Sequence, residues 1–507
     1  MNDPDDLADP DSGSAAVPPP PQVVRAPGEG ASPSPPEGWE GDRGVAGGDP
    51  IDASSRPPPP HRSAVFQPSG LAPPVGEGTL ALQDDPPGGR PEPPGELLEA
   101  SFGPQRPALH GVLRLALRVE GEKILACEPV VGFLHRGVEK LFEAHTYLEN
   151  GAHTDRLDFV AAATSNLAYA GAVEKLHGIA VPRRARLLRT LLAELQRIAS
   201  HLFWLGGHAL DLGVLPPHLL CLREREHVLD LFESYCGARL TLDCMRPGGV
   251  AFEPPPGWQE ECRSFAAGFP ARLDACEEPL TENRLWKRRT VGLGVLSPET
   301  AIAYGVSGPM LRASGVEWDL RKALPYEAYA ELDFEVPVGR NGDCYDRYLV
   351  RVAEMRQAVR IAGQCLDRLA RLSRLPRLPD TGPEDRPAAA DPPWPSPPGS
   401  PWAPPPLDPG TTDPAAAGTG PRPSLAPQPV RWPAPAGAEV YHAIEGPRGE
   451  IGFYIVAGAG EAPHRCHVRS PSLRHLQVLG ELARGHRIAD LVTLIGSADI
   501  ALGEVDR

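Results

Sequence analysis

Nine cysteines are the residues of this sequence that could most directly hold a metal or carry redox chemistry. They stand singly, and no two form the Cys-x-x-Cys pair on which zinc and iron–sulfur sites usually depend. Their number is odd, and the acidic start MNDPDDLADPDSG is unlike a secretion signal. We therefore expect reduced thiols, buried as small hydrophobic side chains, and no metal or cofactor bound by this chain alone.

The glycine-rich segments lack the patterns that bind nucleotide phosphates. No Gly-x-Gly-x-x-Gly opens a helix after a strand, and Pro247-Gly248-Gly249 lacks the lysine and the serine or threonine of a P-loop. The chain has 50 lysines and arginines against 66 aspartates and glutamates, and the resulting charge of −16 disfavours binding to nucleic acid. We expect a chain that binds neither NADH, ATP nor nucleic acid by itself.

Contact with a membrane is expected to be indirect. No stretch approaches the roughly 18 to 20 uninterrupted apolar residues that a spanning helix needs. The negative charge also gives no general attraction to an anionic lipid surface. Membrane association would therefore come through a partner protein, with the chain in the cytoplasm or on the cytoplasmic side of a membrane.

Proline divides the chain into segments. Residues 1–100 contain 23 of the 63 prolines, and residues 376–435 contain 21. Proline removes backbone donors, and the glycine, serine and acidic residues around it bury too little apolar area to offset the entropy of ordering. We interpret 1–98 as a disordered tail and 376–435 as a disordered insert, which leaves 99–375 and 436–507 for the folded core.

The first part of that core is predicted to be a β-hairpin followed by helices. Residues 109–128 alternate apolar and polar side chains around Gly121, which is free to take the turn conformation. From about 137 to 375 the apolar period becomes helical. One long helix is predicted to begin near Pro182 and to end at Gly206-Gly207, and a second to run from Asp346 to about Leu372.

The part that follows the insert is predicted to be a small α+β region. Glu439–His442 and Gly452–Val456 have the composition of short strands, and Leu473–Arg484 has the period of a helix. The predicted fold class is mainly α with small β parts: a helical bundle with an N-terminal β-hairpin and an α+β C-terminal region.

A series of short motifs also runs in order along the chain. It comprises Gly103–Gln105, His110–Leu115, Gly132–Gly137, Thr154–Asp158, Ala193–Ile198, His208–Asp211, Arg246–Gly249, Gly339–Arg347, Ile495–Ser497 and Gly503–Arg507. This series, over about residues 101–375 and 436–507, resembles the D subunits of bacterial respiratory complex I, the proton-pumping NADH:quinone oxidoreductase. The resemblance implies the fold of the nickel–iron hydrogenase large subunit, but this chain lacks the Cys-x-x-Cys pairs that hold the metal there.

The resemblance implies a subunit that forms the quinone-reduction pocket beside the terminal iron–sulfur cluster of a partner. Electrons would pass from NADH through FMN and iron–sulfur clusters, all on partner subunits, to the quinone. The implied partners are the cluster-bearing B-type subunit, the C-type subunit and the membrane arm. The chain would lie peripherally on the cytoplasmic side of the cell membrane. The composition, rich in Pro, Gly, Ala and Arg, is typical of GC-rich bacteria, in which menaquinone is the expected quinone.

Two groups beside the quinone are assigned by the resemblance. A histidine of the family matches His110, and its aspartate partner matches Asp211. A carboxylate near an imidazole favours the protonated ring, which could then supply a proton to the reduced quinone. The family's quinone-binding tyrosine is Phe159 here, which keeps the ring but lacks the hydroxyl donor. We expect quinone to bind at Phe159 more weakly, with an altered proton supply.

Three further positions match family sites. Arg136 matches an arginine beside the partner's cluster, where a fixed positive charge favours the reduced state. A histidine near that cluster is Thr241 here, so we expect little pH dependence of the cluster potential from this position. A second histidine before the hairpin is Arg106.

The remaining charged motifs are predicted to be structural. Arg223–Glu226 should form an ion-paired helix face or a subunit contact, and Asp343 and Asp346 should begin a helix. The resemblance implies that Glu504, Asp506 and Arg507 lie in a buried charged network.

Two other functions remain open at this point. The chain could be a divergent second copy that serves as an assembly or scaffold protein, an interpretation that Phe159, Arg106, Thr241 and the proline-rich segments favour. It could also belong to a related complex that takes electrons from ferredoxin or formate instead of NADH.

Overall fold

The computed structural model describes residues 97–103, 111–374 and 436–507. At its start lies a three-stranded antiparallel sheet in the order β1 (Leu97–Phe102), β2 (Arg114–Glu120) and β3 (Lys123–Val130). The predicted hairpin is confirmed as β2 and β3, and Gly121 takes a positive φ of 59° in the turn between them. Strand β1 begins at Leu97, so the last two residues of the predicted tail lie in a strand.

The core of the molecule is a bundle of four long helices. They are α4 (Arg183–Asp211), α5 (Leu215–Cys236), α6 (Trp258–Thr281) and α11 (Cys344–Arg374). Helix α4 packs against α5 and α11, and α6 packs against the same two helices. The mainly α fold is therefore confirmed. No helix in the described ranges combines the length and the apolar run needed to cross a lipid bilayer.

The predicted end of α4 is wrong, because the helix continues through Gly206 and Gly207 to Asp211. Gly206 lies where α5 comes closest: a Cβ there would be 3.4 Å from Cβ of Cys221. The Gly206 carbonyl also lies 3.0 Å from Nδ1 of His218. This glycine therefore permits close helix packing, and burial of the next turn outweighs its low helix propensity.

Shorter elements surround the bundle and shape its loops. In chain order they are α1 (Val138–Ala144), α2 (Asn150–Thr154), α3 (Ala162–His177), β4 (Met245–Arg246), β5 (Gly249–Val250), α7 (Arg284–Thr290), α8 (Pro298–Ala303), α9 (Gly308–Ala313) and α10 (Leu320–Ala323).

After residue 436 a second three-stranded antiparallel sheet precedes three helices. The sheet has the order β6 (Glu439–Glu445), β7 (Glu450–Ala457) and β8 (Pro463–Arg469), and the helices are α12 (Pro471–Ala483), α13 (Leu491–Ala498) and α14 (Leu502–Asp506). The sequence-based prediction missed β8, whose outward positions are occupied by histidines and arginines. The predicted helix is confirmed as α12, which begins two residues early because Ser470 caps it through Leu473 N–H at 3.2 Å.

Buried ion pairs join the C-terminal sheet to the bundle. Arg312, in α9, lies 2.6 Å from Glu354 of α11 and 2.7 Å from Glu445 of β6. Nearby, Arg321 pairs with Asp319 at 2.6 Å, and all five side chains are buried. Since a buried charge without its partner is strongly unfavourable, this cluster fixes how the two parts of the core pack together.

Candidate functional site

The predicted site residues lie at the ends of elements. Phe159 is 40% exposed in the turn between α2 and α3, and Asp211 is the last residue of α4. Arg136 lies in the loop between β3 and α1, and Thr241 in the loop after α5. His110, together with Arg106, lies outside the described residues. The structure begins again at the next residue, Gly111.

The segment after His110 meets the short helix α14. Gly111 has a φ of 138°, and a Cβ at this position would lie 2.9 Å from Cβ of Leu502. The same Cβ would lie 2.6 Å from Cδ1 of Leu134, in the loop that carries Arg136. The close approach is possible because glycine has no side chain.

Two more loops that carry predicted site residues also contact α14. The Asp506 carboxylate accepts hydrogen bonds from Gly132 N–H at 2.8 Å and Leu134 N–H at 2.7 Å. Three residues before Asp506 on the same helix, a Cβ at Gly503 would lie 2.7 Å from the carbonyl oxygen of Leu157, two residues before Phe159. The segments next to His110, Arg136 and Phe159 therefore meet on one five-residue helix.

A chain of buried charges runs inward from the Phe159 turn. Asp158 accepts a hydrogen bond from Nη1 of Arg448, whose Nε lies 3.2 Å from Oδ1 of Asp499. The other carboxylate oxygen of Asp499 lies 3.8 Å from Nε of Arg351. Burial opposes the charge on Arg448, but Asp158 and Asp499 together raise its pKa above the ordinary value.

The chain of buried charges reaches the end of α4. The Arg351 guanidinium lies 4.2 Å from the ring centroid of Trp204, which stacks on His208 with 5.4 Å between ring centroids. His208 is one turn before Asp211 on the same helix. Burial and the nearby Arg351 lower the pKa of His208 to about 3, so this imidazole is neutral. Asp499 thus connects the Phe159 turn to the last turn of α4 that carries Asp211.

Glu504 is a carboxyl group of this region that can change its protonation near neutral pH. It is buried, and its Oε1 accepts a hydrogen bond from Ser472 N–H at 3.0 Å. Burial and the neighbouring Asp158 raise the pKa of Glu504 to about 7, although Arg448 opposes the shift. The predicted burial is confirmed for Glu504 and Asp506 but is wrong for Arg507, whose side chain is 21% exposed. Asp506 accepts hydrogen bonds from two backbone N–H groups, and Arg507 lies 3.2 Å from Glu139.

Arg136 is exposed at the surface, and Thr241, in the loop after α5, is partly exposed. The Arg136 guanidinium donates to the carbonyl of Arg156 at 3.0 Å, and burial followed by the Arg156 charge lowers the pKa of Arg136. Two residues after Thr241, Asp243 N–H donates to Asp155 at 3.1 Å. Burial is the main cause that raises the pKa of Asp155 to about 6, and the Asp243 charge adds to it.

The other charged motifs behave as structural elements. Within α5, buried Glu224 lies 2.8 Å from Arg223 and 2.6 Å from Arg272 of α6, which confirms an ion-paired helix face. At the start of α11, Asp343 accepts from Asp346 N–H at 2.8 Å.

Sequence reasoning missed Arg448. It follows Glu445-Gly446-Pro447 in the turn between β6 and β7, where an arginine would ordinarily be exposed. Nothing local marks it, since its acidic partners lie far away in the sequence.

Within the described ranges, no group of three or more His, Cys, Asp or Glu side chains is arranged to hold a metal ion. The nine cysteines are all unpaired, and eight of them are buried.

Comparison with known proteins supplies the family. The family described as the 49 Kd subunit of respiratory-chain NADH dehydrogenase matches residues 211–384 and 428–507. A D-type subunit of NADH-quinone oxidoreductase from Methylobacillus flagellatus is 43% identical over 434 residues, which cover 80% of this chain and 98% of that protein. A D-type subunit of the same oxidoreductase from Solibacter usitatus, the one numbered 2, is also 43% identical, over 81% of this chain and 97% of its own length. The D-type relative from a Wolbachia of Brugia malayi is 44% identical over 80% of this chain.

Together with the mainly helical core, these matches define the class of the chain as a subunit of a respiratory oxidoreductase. More particularly, the chain belongs to the family of respiratory-chain NADH dehydrogenase 49 Kd subunits, which the motif series had indicated.

Proposed function

We propose that this chain forms the quinone-reduction pocket of a proton-translocating NADH:quinone oxidoreductase, beside the terminal iron–sulfur cluster of a partner subunit. NADH, FMN and the iron–sulfur clusters would bind to other subunits, and electrons would reach the quinone on this chain. The quinone proposed is menaquinone. In this proposal the chain lies peripherally on the cytoplasmic side of the cell membrane and contacts the B-type and C-type subunits and the membrane arm.

The meeting of three loops on α14 carries the proposal. Gly111, Leu134 and Leu157 all contact this helix, and each lies within two residues of a proposed site residue: His110, Arg136 and Phe159 respectively. A quinone pocket needs an apolar slot and a small number of donors that converge on its oxygens.

The partly exposed ring of Phe159 suits the apolar side of such a pocket. Beneath it, Asp158 and Arg448 form a buried ion pair that holds the turn in place. Glu504, which faces the same ion pair, can exchange a proton near neutral pH. Proposed proton-holding groups are His110 with its partner Asp211, which ends α4.

The function is tested by deletion and complementation. The chromosomal gene is deleted, NADH:quinone reductase activity is measured in membranes, and the gene is restored as wild type, His110→Ala or His464→Ala. His464 is an exposed histidine of β8 and serves as the matched control. We expect the deletion to abolish activity, and wild type and His464→Ala to restore it while His110→Ala does not. Unchanged activity after deletion would refute the proposal and favour a scaffold role or a different electron donor.

The expected weaker binding of quinone is tested at Phe159. Phe159→Tyr should lower the apparent KM for quinone, because a hydroxyl donor to a ligand oxygen contributes about 0.5–1.5 kcal/mol, or roughly 2- to 10-fold in affinity. Phe252→Tyr is the control, because Phe252 is also 40% exposed and lies after β5, outside the proposed pocket. An unchanged KM and turnover for Phe159→Tyr would show that this ring does not face the quinone.

A further inference from the structure

The loop Gly132–Gly137, between β3 and α1, is held in shape by α14. Oδ1 of Asp506 accepts from Gly132 N–H at 2.8 Å, and Oδ2 accepts from Leu134 N–H at 2.7 Å. The backbone carbonyl of Asp506 lies 2.6 Å from Nδ1 of His135. Inside the loop the backbone bond is the longer one from His135 N–H to the Gly132 carbonyl, at 3.2 Å.

A carboxylate suits this position for a chemical reason. Two N–H groups from alternate residues point at two separate oxygens, and both oxygens of an ionised carboxylate are acceptors. Phe133, the residue between them, is turned outward and is half exposed. Asp506 itself is only 8% exposed, so its charge-assisted bonds are shielded from water.

The end of α14 is in turn tied to its surroundings. The Arg507 guanidinium donates to Glu139 in the first turn of α1 at 3.2 Å and to the carbonyl of Val468 in β8 at 2.5 Å. Glu139 also lies 3.0 Å from Arg465, which belongs to the same strand. Asp506 is therefore a fixed point to which the loop is attached.

Arg136 depends on this attachment. Its backbone N–H donates to the carbonyl of Arg507 at 3.3 Å, and its guanidinium donates to the carbonyl of Arg156 at 3.0 Å. Arg136 and Arg156 are both exposed, and their like charges repel each other. A mobile loop would let Arg136 move away, so its place near Arg156 requires a rigid backbone.

We propose that Asp506 is a positioning residue, which fixes the loop so that the Arg136 guanidinium faces the iron–sulfur cluster of the partner subunit. The inference rests on the proposed function, in which Arg136 lies beside that cluster. Two cations presented together on an exposed face suit a cluster that carries negative charge from its thiolate ligands.

The test is the midpoint potential of the terminal cluster in the assembled complex, followed by EPR during redox titration of membranes. The variants are Asp506→Asn, Arg136→Met and the double variant. Asp490→Asn is the control, because Asp490 accepts an equivalent bond from Arg487 N–H at 3.2 Å in an exposed turn.

Removing a fixed positive charge disfavours the reduced cluster, so Arg136→Met should lower the potential. Asp506→Asn should shift it in the same direction by a smaller amount, and Asp490→Asn should not shift it. The double variant should match Arg136→Met, because Asp506 has no effect once its target charge is gone.

A shift in Arg136→Met without one in Asp506→Asn would overturn the inference alone, as would shifts that add fully in the double variant. No shift in Arg136→Met would overturn the placement of Arg136 in the proposed function and the inference with it. If Asp506→Asn does not assemble, Asp506→Glu replaces it, since it keeps the charge but moves both acceptor oxygens by one methylene group from the N–H groups of Gly132 and Leu134. Asp506→Glu should then lower the potential by less than Arg136→Met, and an unchanged potential would overturn the inference.

Discussion

Removing the positive charge of Arg448 should be among the most destabilising substitutions in the described part of this chain. Its side chain is 1% exposed and stands between Asp158 and Asp499, which are 6% and 0% exposed. Arg448→Gln would leave two buried carboxylates without their shared cation. Breaking a buried ion pair by removing one partner costs about 3–5 kcal/mol, and we expect a loss in that range in the free energy of unfolding.

Two further variants show whether charge or geometry is responsible for the expected loss in the free energy of unfolding. Arg448→Lys keeps the charge but replaces the planar fork by a single ammonium, which cannot reach both carboxylates equally well, so it should cost less than Arg448→Gln. Arg263→Gln is the control, because Arg263 and Asp367 form an ion pair at 2.7 Å that is 46% and 61% exposed. Exposed pairs contribute about 0–1 kcal/mol.

The measurement is urea unfolding of the purified chain, followed by tryptophan fluorescence. Trp204 is a suitable reporter, because it is buried and lies against Arg351 at the inner end of the chain of buried charges. If Arg448→Gln lost no more stability than Arg263→Gln, the argument that these buried charges hold the Phe159 turn in place would be wrong.

Three other outcomes are expected. Gly503→Ala should destabilise the chain by about 1–3 kcal/mol through overpacking, since its Cβ would lie 2.7 Å from the Leu157 carbonyl. Gly363→Ala in α11, where nothing lies within 4 Å of the added Cβ, should instead stabilise the chain by about 0.5–1 kcal/mol. Thermal unfolding of the two variants checks this difference, and equal effects on stability would contradict it. Glu504 has a pKa raised from 4.5 to about 7, so the folded chain holds a proton that the unfolded chain releases, and this contribution to stability is complete below pH 4.5 and lost as the pH rises through 7. Glu504→Gln should therefore be more stable than wild type at pH 8, by up to about 3 kcal/mol, and close to it at pH 4.5, as urea unfolding at the two pH values would show; equal stability at pH 8 would refute the shift. Thr241→His should give the potential of the partner's cluster a pH dependence between pH 6 and 8 that wild type lacks, and a wild-type redox titration with an equally steep slope would count against this.

Much of the local structure could be predicted from the sequence. The β2–β3 hairpin follows from alternating side chains around Gly121, and helices α11 and α12 follow from a regular apolar period with recognisable ends. These signals are local, because a turn needs a residue that tolerates positive φ and a helix needs one apolar face. The motif series likewise indicated the family that the comparisons confirm.

The end of α4 and strand β8 depended on tertiary contacts instead. Gly206 has the local character of a helix stop, but close packing on Cys221 and burial of the following turn carry α4 on to Asp211. Strand β8 is polar on its outer face and is a strand because it pairs with β7. In both places packing outweighs intrinsic propensity.

The sequence by itself determined the helical core, the hairpin, the absence of a Cys-x-x-Cys motif and the set of residues matching family positions. Only the tertiary structure decided that the loops next to His110, Arg136 and Phe159 meet on α14, and that Arg448 joins Asp158 across 290 residues of sequence. The physical reason is that burying either charge costs the free energy of removing it from water, and this cost is offset only where the fold brings the two partners together. No property of either residue's neighbours in the sequence contains that information.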